Sequence, residues 1–245
     1  FYQTILQRTI SGGMYFALQA KMEQFFRKQC VSTTKNLSDV QFRGLVGVSA
    51  GLINGCILNQ LATIKYHSWG AHRSNFLASS ARMYKQGGIR PFFKGISATG
   101  SRDTIFGATY EILRYNLRTR LILFHEANNH RSSEEEESNF IHLPPSYQTF
   151  LADMIAAGSA TVLSGPWNYA RNIKYSTPSS KIPPSTLSCL KHLVSTAAKL
   201  PRREALSYLQ ERLRIGWGTA RVAVGMAFGQ YLFTKAQLFW HSVLH

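Results

Sequence analysis

The stretch GLVGVSAGLINGCILNQLATI, residues 44–64, holds no charged side chain between Arg43 and Lys65. A helix of that length reaches about 30 Å, the thickness of the hydrocarbon core of a bilayer. A soluble core helix of the same length normally shows a polar face, and this one carries no charge at all. Glycines 47, 51 and 55 stand four apart, so they share one helical face. Without side chains there, a neighbouring backbone can approach closely, which is how helices associate in lipid. The stretch therefore predicts a spanning helix with a glycine face against a partner. A close-packed soluble helix pair is the next reading, and a glycine-rich nucleotide-binding loop ranks below it, because no strand and no P-loop lysine pattern precede the glycines.

Outward from this segment, the 245-residue chain has four more apolar, mostly helical segments, giving five at roughly 2–28, 40–68, 96–120, 146–175 and 212–240. The mean hydropathy of −0.14 is low for a membrane protein, so a soluble basic helical domain is the competing reading. The formal charge of +16 calls for an anionic surrounding: nucleic acid, an acidic lipid surface or anionic solutes. Its distribution separates these. Residues 66–95 carry Arg73, Arg82, Lys85, Arg90 and Lys94 with no acid, residues 174–214 are also basic, and residues 121–146 hold Glu134 to Glu137. With five spans, the two basic connectors fall on one side and the acidic one on the other, as the positive-inside rule expects. A nucleic-acid-binding domain would instead display its bases as one exposed stripe. The acidic run also reads as a solvated loop tip.

Internal repetition supports the same organisation. GVSAGLINGCILNQLATIK (47–65) aligns without a gap with DMIAAGSATVLSGPWNYAR (153–171), pairing Gly51 with Ala157, Gln60 with Pro166 and Lys65 with Arg171. QRTISGGMYF (7–16) lies 95 residues before RDTIFGATYE (102–111), and Tyr15 matches Tyr110. ARVAVGMAFGQ (220–230) repeats the theme of an arginine among small residues. Cys30, Cys56 and Cys189 are odd in number and lack metal-ligand spacing, so they read as free thiols. His125, His130 and His142 lie in or beside the acidic connector without a nucleophile or metal constellation, so no enzymatic role and no cofactor is expected.

One further stretch, QGGIRPFFKGISATGSRD (86–103), crowds a tight turn, an aromatic-basic cluster and an Arg-Asp pair together. A spanning helix with a basic end, an amphipathic piece (NFLASSARMYKQ), the turn Gly88-x6-Gly95 and a helix opening on Arg102-Asp103 together resemble the mitochondrial carrier family. The resemblance covers nearly the whole chain, although Gly87 stands where the family usually has an acid. It implies an all-α membrane protein, a threefold helical repeat with about five transmembrane helices present and short amphipathic helices on the matrix side. Residues 1–35 would be the second half of repeat one, 36–125 repeat two, 126–145 an acidic polar loop and 146–245 repeat three, with the first helix of repeat one expected upstream of Phe1. It also implies residence in the mitochondrial inner membrane and contact with lipids, cardiolipin at the matrix-side helix ends among them. No nucleic-acid partner is implied.

The family closes its matrix side with P-x-[DE]-x-x-[KR] on odd-numbered helices. Here residues 60–65 read QLATIK and residues 166–171 read PWNYAR. Gln60 replaces the proline, Ala62 and Asn168 replace the acids, and Pro166, Lys65 and Arg171 remain. These are gate remnants whose two bases lack their usual partners. Substrate contacts in the family fall on the even-numbered helices, which implicates Arg102 and Asp103, with Gln7 and Arg8 by the 95-residue offset and Arg221 in repeat three. Asp103, Glu111 and Asp153 would partly neutralise that polar cavity. In ungapped alignment the outer closing motif puts Tyr115 and Thr234 at the acid positions; YEILR (110–114) fits only with a gap. The resemblance thus leads to exchange of a small anionic or zwitterionic solute by alternating access. The lost gate acids equally suit a carrier fold that has become a non-transporting structural subunit of a larger inner-membrane, respiratory-type complex.

Overall fold

The structure, a computed structural model, describes residues 2–29, 36–68, 76–131, 144–178 and 180–244. Side chains are described from residue 13 onward, except at 122, 124–131, 145, 241, 243 and 244. The elements are α1 (Tyr2–Gln29), α2 (Asp39–Ser68), α3 (Phe76–Gly87), a 3-10 turn (Arg90–Phe93), α4 (Ile96–Arg131), α5 (Pro145–Leu163), α6 (Gly165–Ser176), α7 (Thr186–Lys199), α8 (Arg202–Leu213) and α9 (Trp217–Leu244). There is no strand among the described residues. The five expected helical segments reappear as α1, α2, α4, the α5–α6 rod and α9.

Local chemistry sets the boundaries. Ser38 and Gln41 open α2 with a reciprocal capping box: the Gln41 N–H donates to Ser38 Oγ (3.3 Å) and the Ser38 N–H to Gln41 Oε1 (3.0 Å). The α5–α6 rod divides at Ser164, two residues before Pro166, which cannot supply a helical N–H. Gly88 and Gly95 take left-handed φ values of 62° and 75° on either side of the 3-10 turn, a conformation that glycine adopts without strain.

Packing runs in a ring. α1 lies against α2, α2 against α4, α4 against α5 and α6, α5 against α9, and α9 against α1. The α2–α4 crossing is the closest, as the glycine face predicts. A Cβ on Gly47 would come within 2.2 Å of the Gly107 carbonyl oxygen, and one on Gly51 within 2.0 Å of the Asp103 carbonyl oxygen. Around this crossing a core gathers Tyr15, Phe16, Phe106 and Tyr110 with Ala156, Ala157 and Ala160 of α5.

Charged side chains share the interior with this apolar core. Asp103 (7% exposed), Glu111 (2%) and Asp153 (2%) face inward, while Leu52 (46%), Ile57 (50%), Ile155 (52%) and Phe228 (54%) face outward. Five spans were expected, but by length and composition one helix among the described residues, α2, is apolar enough to cross a membrane. The physical reason lies in the charged residues of the helices themselves. Arg102, Asp103, Glu111, Arg114 and Arg118 all sit on α4 and lower its average hydropathy, and Ser164 splits the rod that would make another span. The two basic connectors do share one end of the bundle, where Lys174 Nζ donates to Ser97 Oγ and Lys94 Nζ donates to the carbonyl oxygens of Thr177 and Pro178. The acidic run at 134–137 and the histidines at 125, 130 and 142 lie outside the described residues or side chains.

Candidate functional site

At the basic end, the aromatic turn is tied down by Asn59, one residue before the Gln60 gate position. Asn59 is fully buried. Its Nδ2 donates to the carbonyl oxygens of Phe92 (3.0 Å) and Lys94 (3.2 Å), and its Oδ1 accepts from Thr99 Oγ1 (2.8 Å) and the Tyr175 hydroxyl (2.8 Å). One neutral side chain thereby joins α2, the turn, α4 and α6. Burial pushes the Lys94 ammonium below its ordinary pKa, and the carbonyl oxygens it meets hold it in place. Gly95 is required here: a Cβ would sit 2.8 Å from the Tyr175 ring.

The gate remnants stand around this hub. Arg171 is not left without a partner: it donates to Asn168 Oδ1 at 2.6 Å and lies over the Tyr175 ring at 5.7 Å. Asn168 has kept the acceptor oxygen of an acid and lost its charge. Gln60 Oε1 and Arg171 Nε are buried with no hydrogen-bond partner. Pro166 lies in the first turn of α6, and Lys65 in the last turn of α2.

Of the expected solute contacts, Arg102 and Asp103 form an ion pair with each other on α4, and Arg102 approaches the Phe106 ring at 6.0 Å. Its Nε is buried and unpartnered. Arg221 is exposed on α9. The side chains of Gln7 and Arg8 lie outside the described residues.

Toward the other end, past the α2–α4 crossing, the interior opens into a cavity of about 580 Å³ between α1, α2, α4 and α9. Arg43 donates to Glu23 Oε2 at 2.8 Å, and Arg27 to Glu23 Oε1 at 3.0 Å. Glu111, Arg114 and Arg118 enter the wall from α4. Arg114 meets Glu111 at 3.5 Å and Asp153 at 3.1 Å, while Arg118 closes on Asp153 at 2.6 Å. Gln230 of α9 contributes an Oε1 that is buried with no partner.

YEILR does place an acid and a base in contact inside the bundle, since Glu111 and Arg114 are three apart and share a helix face. Tyr115 joins the same wall with its ring beneath Arg43 at 5.9 Å and its hydroxyl donating to Asp39 Oδ2 at 2.9 Å, while Thr234 turns back onto the Gln230 carbonyl at 3.0 Å. The signal that could have found the cluster is the spacing of Glu111, Arg114 and Arg118, which runs along one face of α4. Glu23 and Arg27 are likewise four apart on α1, whereas Arg43 carries no such pattern and meets Glu23 because α1 packs on α2.

The described helices thus form a ring that buries paired charges beside an apolar core and carries apolar side chains on its outer face, and one of them, α2, is long and apolar enough to cross a membrane. The comparisons with known proteins agree in kind. The chain is similar to a mitochondrial glycine transporter of the yeast Yarrowia lipolytica, 26% identical over 154 residues, which is 60% of this chain and 49% of the relative. The chain thus spans about half the length of that curated relative. The likeness is to a transporter and not to an enzyme, and to a mitochondrial protein. No family model and no solved structure matches the chain.

Proposed function

We propose that the protein is a carrier-like component of the mitochondrial inner membrane that exchanges a small anionic or zwitterionic solute by alternating access, its helices forming parts of three carrier repeats. The observation that carries this reading is the burial of Asp103, Glu111, Asp153 and Arg114 inside a ring whose outer face is Leu52, Ile57, Ile155 and Phe228. Ionised groups in the membrane interior are costly unless they line a polar path or pair with one another. Such pairs can open when a solute supplies competing charge, and that differential binding is what shifts a two-state equilibrium. Arg102 and Asp103, with Gln7, Arg8 and Arg221, are proposed as solute contacts. Gln60, Lys65, Pro166, Asn168 and Arg171 are proposed as the matrix-side closure, with neutral hydrogen bonds standing in for ion pairs. Cardiolipin is proposed at the basic helix ends.

The test is reconstitution into proteoliposomes with a panel of labelled carboxylates and amino acids. Saturable uptake that falls at least tenfold in Arg102→Ala supports the reading. Absence of uptake for every member, with the protein co-purifying at fixed ratio with a larger complex, would replace it by the structural-subunit role. The Asn168–Arg171 bond is the observation that favours that second reading, because it ties the base to a neutral acceptor within its own helix in place of a cross-helix ion pair.

A further inference from the structure

Asp103, Gly107 and Glu111 recur at every fourth position of α4, so they share one face and stand one turn apart, about 5.4 Å along the axis. Both carboxylates are buried, yet each keeps an oxygen free. Asp103 gives Oδ1 to Arg102, Glu111 gives Oε1 to Arg114 at 3.5 Å, and among the described residues Oδ2 and Oε2 take no hydrogen bond. Between the two acids, the bare Gly107 leaves room for the Tyr15 hydroxyl of α1, which lies 3.3 Å from the place a Cβ would take. That hydroxyl is buried with no partner, as is the hydroxyl of Tyr110, whose ring meets Tyr15 edge-on. A tyrosine O–H both donates and accepts, and here neither capacity is used. The bundle is filled at this level. Tyr15, Phe106, Tyr110 and the alanines of α5 occupy it, and the Gly51–Asp103 and Gly47–Gly107 approaches close α2 on α4.

We propose that Asp103, Tyr15 and Glu111 form a proton relay through the apolar core, linking the basic end of the bundle to the cavity that Glu111 lines. In one step the Tyr15 oxygen accepts a proton from Asp103 Oδ2 while its own proton passes to Glu111 Oε2. One O–H bond forms and one breaks at the tyrosine, and the net change is one proton moved from Asp103 to Glu111. The resting hydroxyl bonds to neither acid, so a turn of the Glu111 side chain or a single bridging water completes the path. The charges that face it are Arg102 and Arg171 beside Asp103, and Arg43, Arg114, Arg118 and Asp153 beside Glu111. The inference rests on the membrane-spanning part of the proposed function and not on its solute, because the relay runs with or without exchange.

The full chain is reconstituted into proteoliposomes that hold a pH-sensitive dye, and a potassium diffusion potential drives proton entry. Wild type should admit protons faster than protein-free vesicles. Tyr15→Phe keeps the ring, loses only the relaying group and should slow entry about tenfold or more. Because the hydroxyl has no partner, this variant should melt no lower than wild type. Glu111→Gln, of equal size, should slow entry likewise. Entry no faster than in empty vesicles, or entry unchanged in either variant, would overturn the inference. So would a Tyr15→Phe chain that melts well below wild type, which would make the hydroxyl a structural bond. The two readings fail separately. Proton entry without uptake of any labelled solute keeps the relay and removes exchange; saturable uptake into vesicles that stay proton-tight keeps exchange and removes the relay.

Discussion

Replacing Gly51 by alanine should destabilise the protein far more than the same change at Gly225, although both glycines lie within long helices. At Gly51 the added Cβ would stand 2.0 Å from the Asp103 carbonyl oxygen, which belongs to backbone and cannot swing aside. The nearest approach that real Cβ atoms make is 3.0 Å, so α2 and α4 must part by about 1 Å at their tightest point. Overpacking of this kind costs about 1–3 kcal/mol. It also disturbs the neighbouring approach of Gly47 to Gly107. At Gly225 no atom lies within 4 Å of the place a Cβ would take, and alanine there gains up to about 1 kcal/mol of helix propensity. The two variants should therefore move in opposite directions. Thermal unfolding in detergent, followed by light scattering and intrinsic fluorescence, reads the difference. For a chain of this size about 2–4 °C accompanies each kcal/mol, so Gly51→Ala should melt roughly 2–12 °C lower. Equal melting of Gly51→Ala and Gly225→Ala would refute the close crossing and the helix pairing built on it.

Other predictions concern the two polar clusters and the thiols. Asn59→Leu removes the bonds to Phe92, Lys94, Thr99 and Tyr175 and should cost about 3 kcal/mol, seen as a lower melting temperature and faster proteolysis at the 88–95 turn. Asp153→Asn leaves Arg114 and Arg118 without their shared carboxylate and should cost about 3–5 kcal/mol; Arg118→Gln in the same chain should restore part of it, a coupling that a double-mutant cycle of melting curves measures. Burial raises the Cys189 thiol above its ordinary pKa, so at pH 7 in detergent it should react with a maleimide more slowly than partly exposed Cys56, as peptide mass spectrometry would show. Reversed rates would place α7 away from α4 and α6.

Much of the fold is legible in residues that obey local rules. The glycine face at 47, 51 and 55, the paired glycines around RPFF and the proline at 166 each require particular backbone geometry, and each is readable before any contact is known. The interior is harder. Arg102 and Asp103 announce themselves by following the turn, whereas Glu23 and Arg43 are twenty residues apart and pair only because α1 packs on α2. Asn59 is invisible for a similar reason. One amide among three in the run, beside Asn54 and Gln60, gives no hint that it will bond to four groups from three other elements. Charge also deceives the count of spans, since α4 is polar along its inner face, and an average over all faces cannot separate a polar lining from a soluble surface.

Polar groups facing an aqueous interior and apolar ones facing lipid are the central claim, and cysteine labelling in liposomes tests it most directly. In a cysteine-free background, Gln237→Cys at the cavity wall and Phe228→Cys on the outer face of the same helix are each treated with a charged, membrane-impermeant thiosulfonate. Rapid modification at 237 and protection at 228 are expected. Equal, rapid modification at both positions, with the protein released from membranes by alkaline carbonate, would contradict the claim.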